Sequence, residues 1–233
     1  TNWVSKFGGP AWEYVPSLGK WYLHLFDVTQ ADLNWENPEV REELKNVLRF
    51  WKTKGVKGFR FDVVNLISKP ENFENDDIGD GRRFYTDGRH VHEFLKEMVR
   101  DAGIEDMTTV GEMSSTSLDN CVRYTAPKEK ELSMVFSFHH LKVDYKDGDK
   151  WSLMSADLKK LKELLTTWQE GMQAEDGWNA VFWCNHDQPR IVSRLGSEEK
   201  YWKESAKMLA AAIHLMRGTP YIYQGEEIGM TNP

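Results

Sequence analysis

The chain has few cysteines, no long apolar run and no excess of positive charge, and each shortage excludes a class of protein. Two cysteines in 233 residues, Cys121 and Cys184, cannot form the disulfide framework of a small secreted domain. No apolar run approaches the roughly 20 residues that a membrane-spanning helix needs, and no signal peptide opens the chain. The formal net charge of -7 disfavours nucleic acid or an anionic membrane as a partner. We therefore expect a cytoplasmic protein that binds neither.

Strand-type and helix-type patterns alternate along the chain. Apolar runs that predict strands cover residues 56–62, 107–112, 132–140, a segment ending at residue 187, and 219–227. Helical spacing of apolar residues occupies the intervals between them, at 38–54, 91–98, 157–172 and 201–217. Asn37 and Pro38 supply the N-cap and first-turn signals of the first helix. Such alternation is typical of an α/β fold with a parallel sheet.

Three of the predicted strands end in a carboxylate. Asp62 closes VKGFRFD, Glu112 closes MTTVGE and Asp187 closes NAVFWCNHD. Breaking a glycosidic bond requires one carboxylic acid to protonate the departing oxygen and one carboxylate to attack the sugar carbon or activate water against it. A single carboxylate after a strand more often caps the next helix. Three of them, each behind a run rich in buried residue types, favour a glycoside-cleaving site.

The segments around these carboxylates resemble a known family. GFRFDVVN, TVGEM and FWCNHDQPR are similar to signature segments of the alpha-amylase family of glycoside hydrolases, in particular its alpha-glucosidase branch. The resemblance implies a (β/α)8 TIM barrel. It also implies that Asp62 is the nucleophile, Glu112 the general acid and base, and Asp187 the carboxylate that holds sugar hydroxyls and stabilises the transition state.

The resemblance and the strand spacing assign roles to three neighbouring residues. Arg60 precedes Asp62 by two residues, so it lies on the same strand face and its charge would keep the nucleophile ionised. By the family pattern His186 would bind a sugar hydroxyl, and Arg190 is expected among the substrate-binding residues. Cys184 has no base motif that would make it a nucleophile. We expect no cofactor. We also expect no metal, since the EF-hand pattern of a calcium-binding loop fails at Ile78.

The pattern contains five strands, whereas a closed TIM barrel has eight. In the family's order these would be strands four to eight, so we expect the barrel to be present only in part. Residues 1–36 resemble the end of the excursion after strand three, and residues 37–233 would form the partial barrel. Both edge strands of such a partial sheet would lack a neighbour.

Within the family, GDGRRFYTDG, VGEMSSTSLDNC and FSFHHLKVDY resemble the trehalose-6-phosphate hydrolase group. That group implies a small-molecule sugar phosphate as partner and cleavage to glucose and glucose 6-phosphate with retention. If the strand continues through HHLK, period two places His140 and Lys142 on one side, where they would bind the phosphate. Arg82 and Arg83 are alternative phosphate ligands. Two alternatives stay open: an oligo-1,6-glucosidase or alpha-glucosidase on unphosphorylated oligosaccharides, and a non-catalytic amylase-fold subunit.

Overall fold

The structure, a computed structural model, describes residues 1–149, 152 and 154–233. The strands are β1 (Trp12–Val15), β2 (Lys20–Leu23), β3 (Gly58–Phe61), β4 (Thr108–Glu112), β5 (Met134–Phe136), β6 (Ala180–Val181) and β7 (Thr219–Pro220). The α-helices are α1 (Pro38–Thr53), α2 (Arg82–Tyr85), α3 (Val91–Asp101), α4 (Leu118–Thr125), α5 (Leu158–Ala174), α6 (Ile191–Leu195) and α7 (Trp202–His214). Short 3₁₀ helices occupy Val64–Leu66, Pro127–Glu129, His139–Lys142, Lys146–Gly148 and Glu226–Ile228. None of the described helices is long and apolar enough to cross a membrane.

The chain forms two compact units. One consists of Thr1–Gly58 with Val63–Met107, and the other of Phe59–Asp62 with Thr108–Pro233. The predicted boundary at residue 36 stays a prediction. All three candidate carboxylates fall in the second unit, which therefore contains the candidate site.

The first unit combines a hairpin with three helices. β1 and β2 pair antiparallel with Trp12 opposite Leu23, a hairpin that the sequence analysis did not predict. Trp3 is 1% exposed in the core of this unit. Gly81 has a φ of +91°, and a Cβ at this position would lie 2.3 Å from Trp3 Cγ, so a larger residue would displace the indole.

The predicted start of α1 is confirmed. The side chain of Asn37 accepts a hydrogen bond from the backbone N–H of Glu39, and Pro38 lies in the first turn. This cap satisfies one of the amide groups that a helix N-terminus leaves without an intrahelical partner. The local signals in the sequence were therefore sufficient to place this helix.

The second unit contains the predicted parallel strands, in chain order. β3, β4 and β5 are neighbours in one sheet, and β6 pairs with β7 in another. Pairing is parallel between β4 and β5 and between β6 and β7, and a parallel bridge joins Val135 to Asn179. The fold is thus mixed α/β, with five strands side by side.

Several strands are shorter than predicted. The strand predicted at 132–140 is reduced to β5, and the strand predicted to end at residue 187 is reduced to β6. The pattern of apolar residues continues past both strand ends because residues beyond them still pack into the core. Phe182, for example, is 1% exposed although it lies outside β6. Burial rather than strand geometry therefore extended the apolar runs.

Candidate active site

Arg60 joins two of the three predicted carboxylates. Asp62 directly follows β3 and Glu112 is the last residue of β4, so the two residues end neighbouring strands. Arg60 Nη1 lies 2.7 Å from Asp62 Oδ1, and Arg60 Nη2 contacts Glu112 Oε2. The structure therefore brings these three predicted residues into one charged cluster.

The two carboxylates of this cluster differ strongly in exposure. The side chain of Glu112 is 13% exposed, whereas that of Asp62 is 72% exposed. The predicted nucleophile is therefore open to solvent, while the predicted acid and base is largely buried.

Asp187 lies in a loop between β6 and α6 rather than at the end of a strand. Its backbone N–H donates to Asn185 Oδ1 at 2.8 Å, and its Oδ2 lies 3.3 Å from His186 Nε2. The first contact is an Asx-type turn, which fixes the backbone of the loop. Asp187 and His186 are adjacent at an exposed position, with side chains 62% and 61% exposed.

A cavity of about 220 Å³ is lined by Glu112 but not by Asp62 or Asp187. Its polar lining consists of Arg60, Glu112, Asn185 and His186, together with Tyr221 and Tyr223. Asp62 and Asp187 each contact a lining residue, Arg60 and His186 respectively. A concave site with convergent polar groups on an apolar base is typical of a small-molecule site.

The apolar base of the cavity is a cluster of aromatic residues that the sequence analysis missed. Phe136 packs edge-on against Tyr221 at 4.6 Å and against Phe182 at 5.0 Å between ring centroids. Phe136 lies opposite Glu112 in the β4–β5 pair. Strand pairing alone would have found Phe136, because a residue opposite a predicted site carboxylate shares its environment. Predicting Tyr221 and Phe182 would have required knowledge of how the β6–β7 pair packs.

The prediction that HHLK continues a strand was wrong. Residues His139–Lys142 form a 3₁₀ helix, so period two does not place His140 and Lys142 on one side. His140 Nε2 donates to the carbonyl oxygen of Phe182 at 2.8 Å, and the side chain is buried. Burial lowers the pKa of His140 to about 4. A neutral, buried imidazole is unsuited to binding a phosphate, whereas Lys142 is exposed.

Arg190 contacts the C-terminal segment rather than the cavity. Its Nη1 donates to the carbonyl oxygen of Gln224 at 2.5 Å, and its guanidinium stacks 4.8 Å from the centre of the Tyr223 ring. Tyr223 lines the cavity. The contacts of Arg190 therefore hold a residue of the cavity wall.

Two further groups that the sequence analysis weighed are engaged in local contacts. Arg83 Nε lies 2.9 Å from Asp76 Oδ1, and Arg82 Nη2 lies 2.9 Å from Asp80 Oδ2.

In the described part of the chain, no group of three or more His, Cys, Asp or Glu side chains is arranged to hold a metal ion.

Cys184 lines the cavity, but its thiol is a poor nucleophile. It accepts a hydrogen bond from the Ile191 N–H at 3.1 Å, and burial is the main cause that raises the pKa of its thiol to about 12. The thiolate is the nucleophilic form of cysteine. This environment agrees with a packing role for Cys184.

Comparison with known proteins places the whole chain in one group. Residues 1–233 match the family description "Alpha-amylase: Alpha amylase, catalytic domain". The chain is 64% identical to the trehalose-6-phosphate hydrolase of Bacillus subtilis (strain 168) and 62% identical to that of Escherichia coli (strain K12), with all of this chain covered in each case. It is 49% identical, over 99% of its length, to an oligo-1,6-glucosidase of Parageobacillus thermoglucosidasius.

A solved structure agrees with the sequence comparison. The crystal structure of Bacillus licheniformis trehalose-6-phosphate hydrolase superposes on the whole chain with a TM-score of 0.97 at 62% identity. The chain spans 42% of the length of each of these relatives, including the crystallised one.

Proposed function

The chain belongs to the alpha-amylase family, and we propose that it carries the catalytic residues of a retaining hydrolase for trehalose 6-phosphate. The observation that carries the proposal is the cluster of Arg60, Asp62 and Glu112 at the ends of neighbouring strands, beside a cavity of about 220 Å³. The products would be glucose and glucose 6-phosphate.

The proposed reaction has two steps. Glu112 first protonates the bridging oxygen while a carboxylate oxygen of Asp62 attacks the anomeric carbon, so the C–O bond to the leaving sugar breaks and a glycosyl-enzyme forms. Glu112, now ionised, then takes a proton from water. The water oxygen attacks the same carbon and Asp62 is released. Two inversions give overall retention of configuration.

Arg60 and the Asp187 loop support these steps. Arg60 contacts both carboxylates. The first step needs a protonated Glu112, so we propose that Arg60 shifts its hydrogen bonds toward Asp62 when the sugar enters. Asp187 and His186 would bind sugar hydroxyls, and Asp187 would also stabilise the positive charge that develops on the sugar ring.

Sequence similarity favours the phosphorylated substrate over the alternatives. The trehalose-6-phosphate hydrolases are 62% and 64% identical to this chain, compared with 49% for the oligo-1,6-glucosidase. The presence of Asp62, Glu112 and Asp187 together argues against a non-catalytic subunit. We propose that the five strands are strands four to eight of a (β/α)8 barrel, with residues 1–36 preceding them. Two free, buried cysteines fit a cytoplasmic location.

The experiment compares kcat/KM of the full-length protein on trehalose 6-phosphate, trehalose and isomaltose. We expect preference for the phosphorylated sugar, because a phosphate can bind local cations that an uncharged sugar does not use. Of the residues proposed from HHLK, only the exposed Lys142 remains a candidate. Lys142→Ala should raise KM for trehalose 6-phosphate about ten-fold or more, since a hydrogen bond to a charged group contributes ~1.5–3 kcal/mol and ~1.4 kcal/mol is one decade.

The control variant is Lys146→Ala, which removes another exposed lysine a few residues further along the chain. It should leave KM unchanged. Equal losses on an aryl α-glucoside would mean that Lys142 has a structural role. Preference for isomaltose over trehalose 6-phosphate would replace the proposed function by that of an oligo-1,6-glucosidase.

A further inference from the structure

A buried ion pair outside the cavity connects α6, which follows the Asp187 loop, to the segment after β5. Arg194, in α6, binds Asp144 with two hydrogen bonds, from Nε to Oδ2 at 2.9 Å and from Nη2 to Oδ1 at 2.5 Å. Both side chains are 5% exposed. The two-point geometry fixes the orientation of the guanidinium as well as its distance.

Arg194 makes further contacts with the segment after β5. Its Nη2 also donates to the carbonyl oxygen of Leu141 at 2.6 Å, and its guanidinium lies 5.5 Å from the centre of the Tyr145 ring. One side chain of α6 therefore fixes three residues between positions 141 and 145. Arg194 Nη1 is buried without a hydrogen-bond partner among the described residues. A buried pair with an unsatisfied donor is a poor source of stability. We therefore consider what the pair does to the position of the segments that it joins.

The contacts of this pair extend to the loop that carries Asp187. α6 begins at Ile191, whose N–H donates to Cys184 Sγ, so the loop between these residues is closed at its base. The Tyr145 hydroxyl donates to Gln188 Oε1 at 3.4 Å, next to Asp187. The Arg194–Asp144 pair therefore lies beside two groups that contact this loop, the N-terminus of α6 and the Tyr145 hydroxyl.

We propose that Asp144 and Arg194 are positioning residues that set the place of Asp187 in the sugar site. The proposal rests on the proposed function, because it requires Asp187 to bind the sugar. The pair touches no reacting group. It acts by holding the C-terminal side of the loop. A small displacement of Asp187 would be costly, since productive geometry tolerates little error.

The test is a double-mutant cycle on binding, which requires no turnover. Four full-length proteins are compared: wild type, Arg194→Lys, Asp187→Asn and the double variant. The probe is 1-deoxynojirimycin, an iminosugar analogue of glucose, and its Kd is measured by calorimetry. Lysine keeps the charge but cannot make the two-point contact. We expect Arg194→Lys to weaken binding about ten-fold in wild type and less than about two-fold in the Asp187→Asn background.

Asp32→Asn is the matched control, since Asp32 belongs to another partly buried ion pair, with its Oδ1 2.5 Å from Lys69 Nζ in the first unit. It should leave Kd unchanged. If Arg194→Lys does not fold, Asp144→Asn replaces it in the same cycle. Equal weakening in both backgrounds, or none in wild type, would overturn the proposal. A wild-type protein that binds no iminosugar and cleaves no α-glucoside would instead show that the proposed function is wrong.

Discussion

Replacing Arg60 tests the geometry of the charged cluster directly. One guanidinium contacts two carboxylates, at 2.7 Å from Asp62 Oδ1 and against Glu112 Oε2. A hydrogen bond to a charged group contributes ~1.5–3 kcal/mol. The side chain of Arg60 is 37% exposed, so solvent screens both contacts and the lower value applies to each. The proposed first step releases the contact with Glu112, so only the contact with Asp62 is counted. Losing it should raise the activation barrier by ~1.5 kcal/mol, or about ten-fold in rate.

Arg60→Lys is the informative variant because lysine keeps the charge without the planar pair of donors. In the full-length protein, kcat/KM for an aryl α-glucoside should fall about ten-fold, while the thermal unfolding midpoint changes little. The control is Arg100→Lys, which alters an exposed pair with Asp101 at 2.6 Å. Surface pairs contribute little, so its activity should equal that of wild type. Activity of Arg60→Lys within about two-fold of wild type would refute the reasoning.

Two further predictions concern the catalytic pair and the buried histidine. Asp62→Asn and Glu112→Gln should each lower kcat by at least ~10²-fold in steady-state kinetics, with unchanged circular dichroism, and near-normal turnover of either would remove its assignment. His140 is neutral when folded because burial lowers its pKa to about 4, against an ordinary value of 6.5. Between these two values the unfolded chain binds a proton that the folded chain does not. The free energy of unfolding therefore falls as pH drops from above 6.5 toward 4. From about pH 7.5 to about pH 5 the loss is ~2 kcal/mol, measurable by urea unfolding. His140→Gln should lack this component, and an unchanged pH dependence in that variant would contradict the buried, neutral state.

The sequence predicted most where the signal is local. Asn37 and Pro38 mark the start of α1, because capping is a contact between near neighbours in the chain. Asp62 and Glu112 were identified by their position behind buried apolar runs and by the family resemblance, and the contacts of Arg60 join them. These features depend on few residues, so the amino-acid sequence alone is sufficient to predict them.

Features that depend on long-range packing were missed or mistaken. HHLK has the composition of a strand end, yet Phe138 ends the extended segment and a 3₁₀ helix brings His140 to the carbonyl of Phe182. Phe182 lies 42 residues from His140 in the chain, so no local sequence pattern predicts this hydrogen bond. The Tyr221 wall of the cavity likewise required the pairing of β6 with β7.

The most direct test of the central claim is the anomeric form of the first products. Proton NMR in the first turnovers of the full-length protein on trehalose 6-phosphate distinguishes α from β anomers before mutarotation. Both sugars of the substrate are α-linked, and the leaving sugar keeps its own C–O bond. Retention through Asp62 and Glu112 therefore predicts that glucose and glucose 6-phosphate both appear as α anomers. Early appearance of one product as the β anomer would contradict the account.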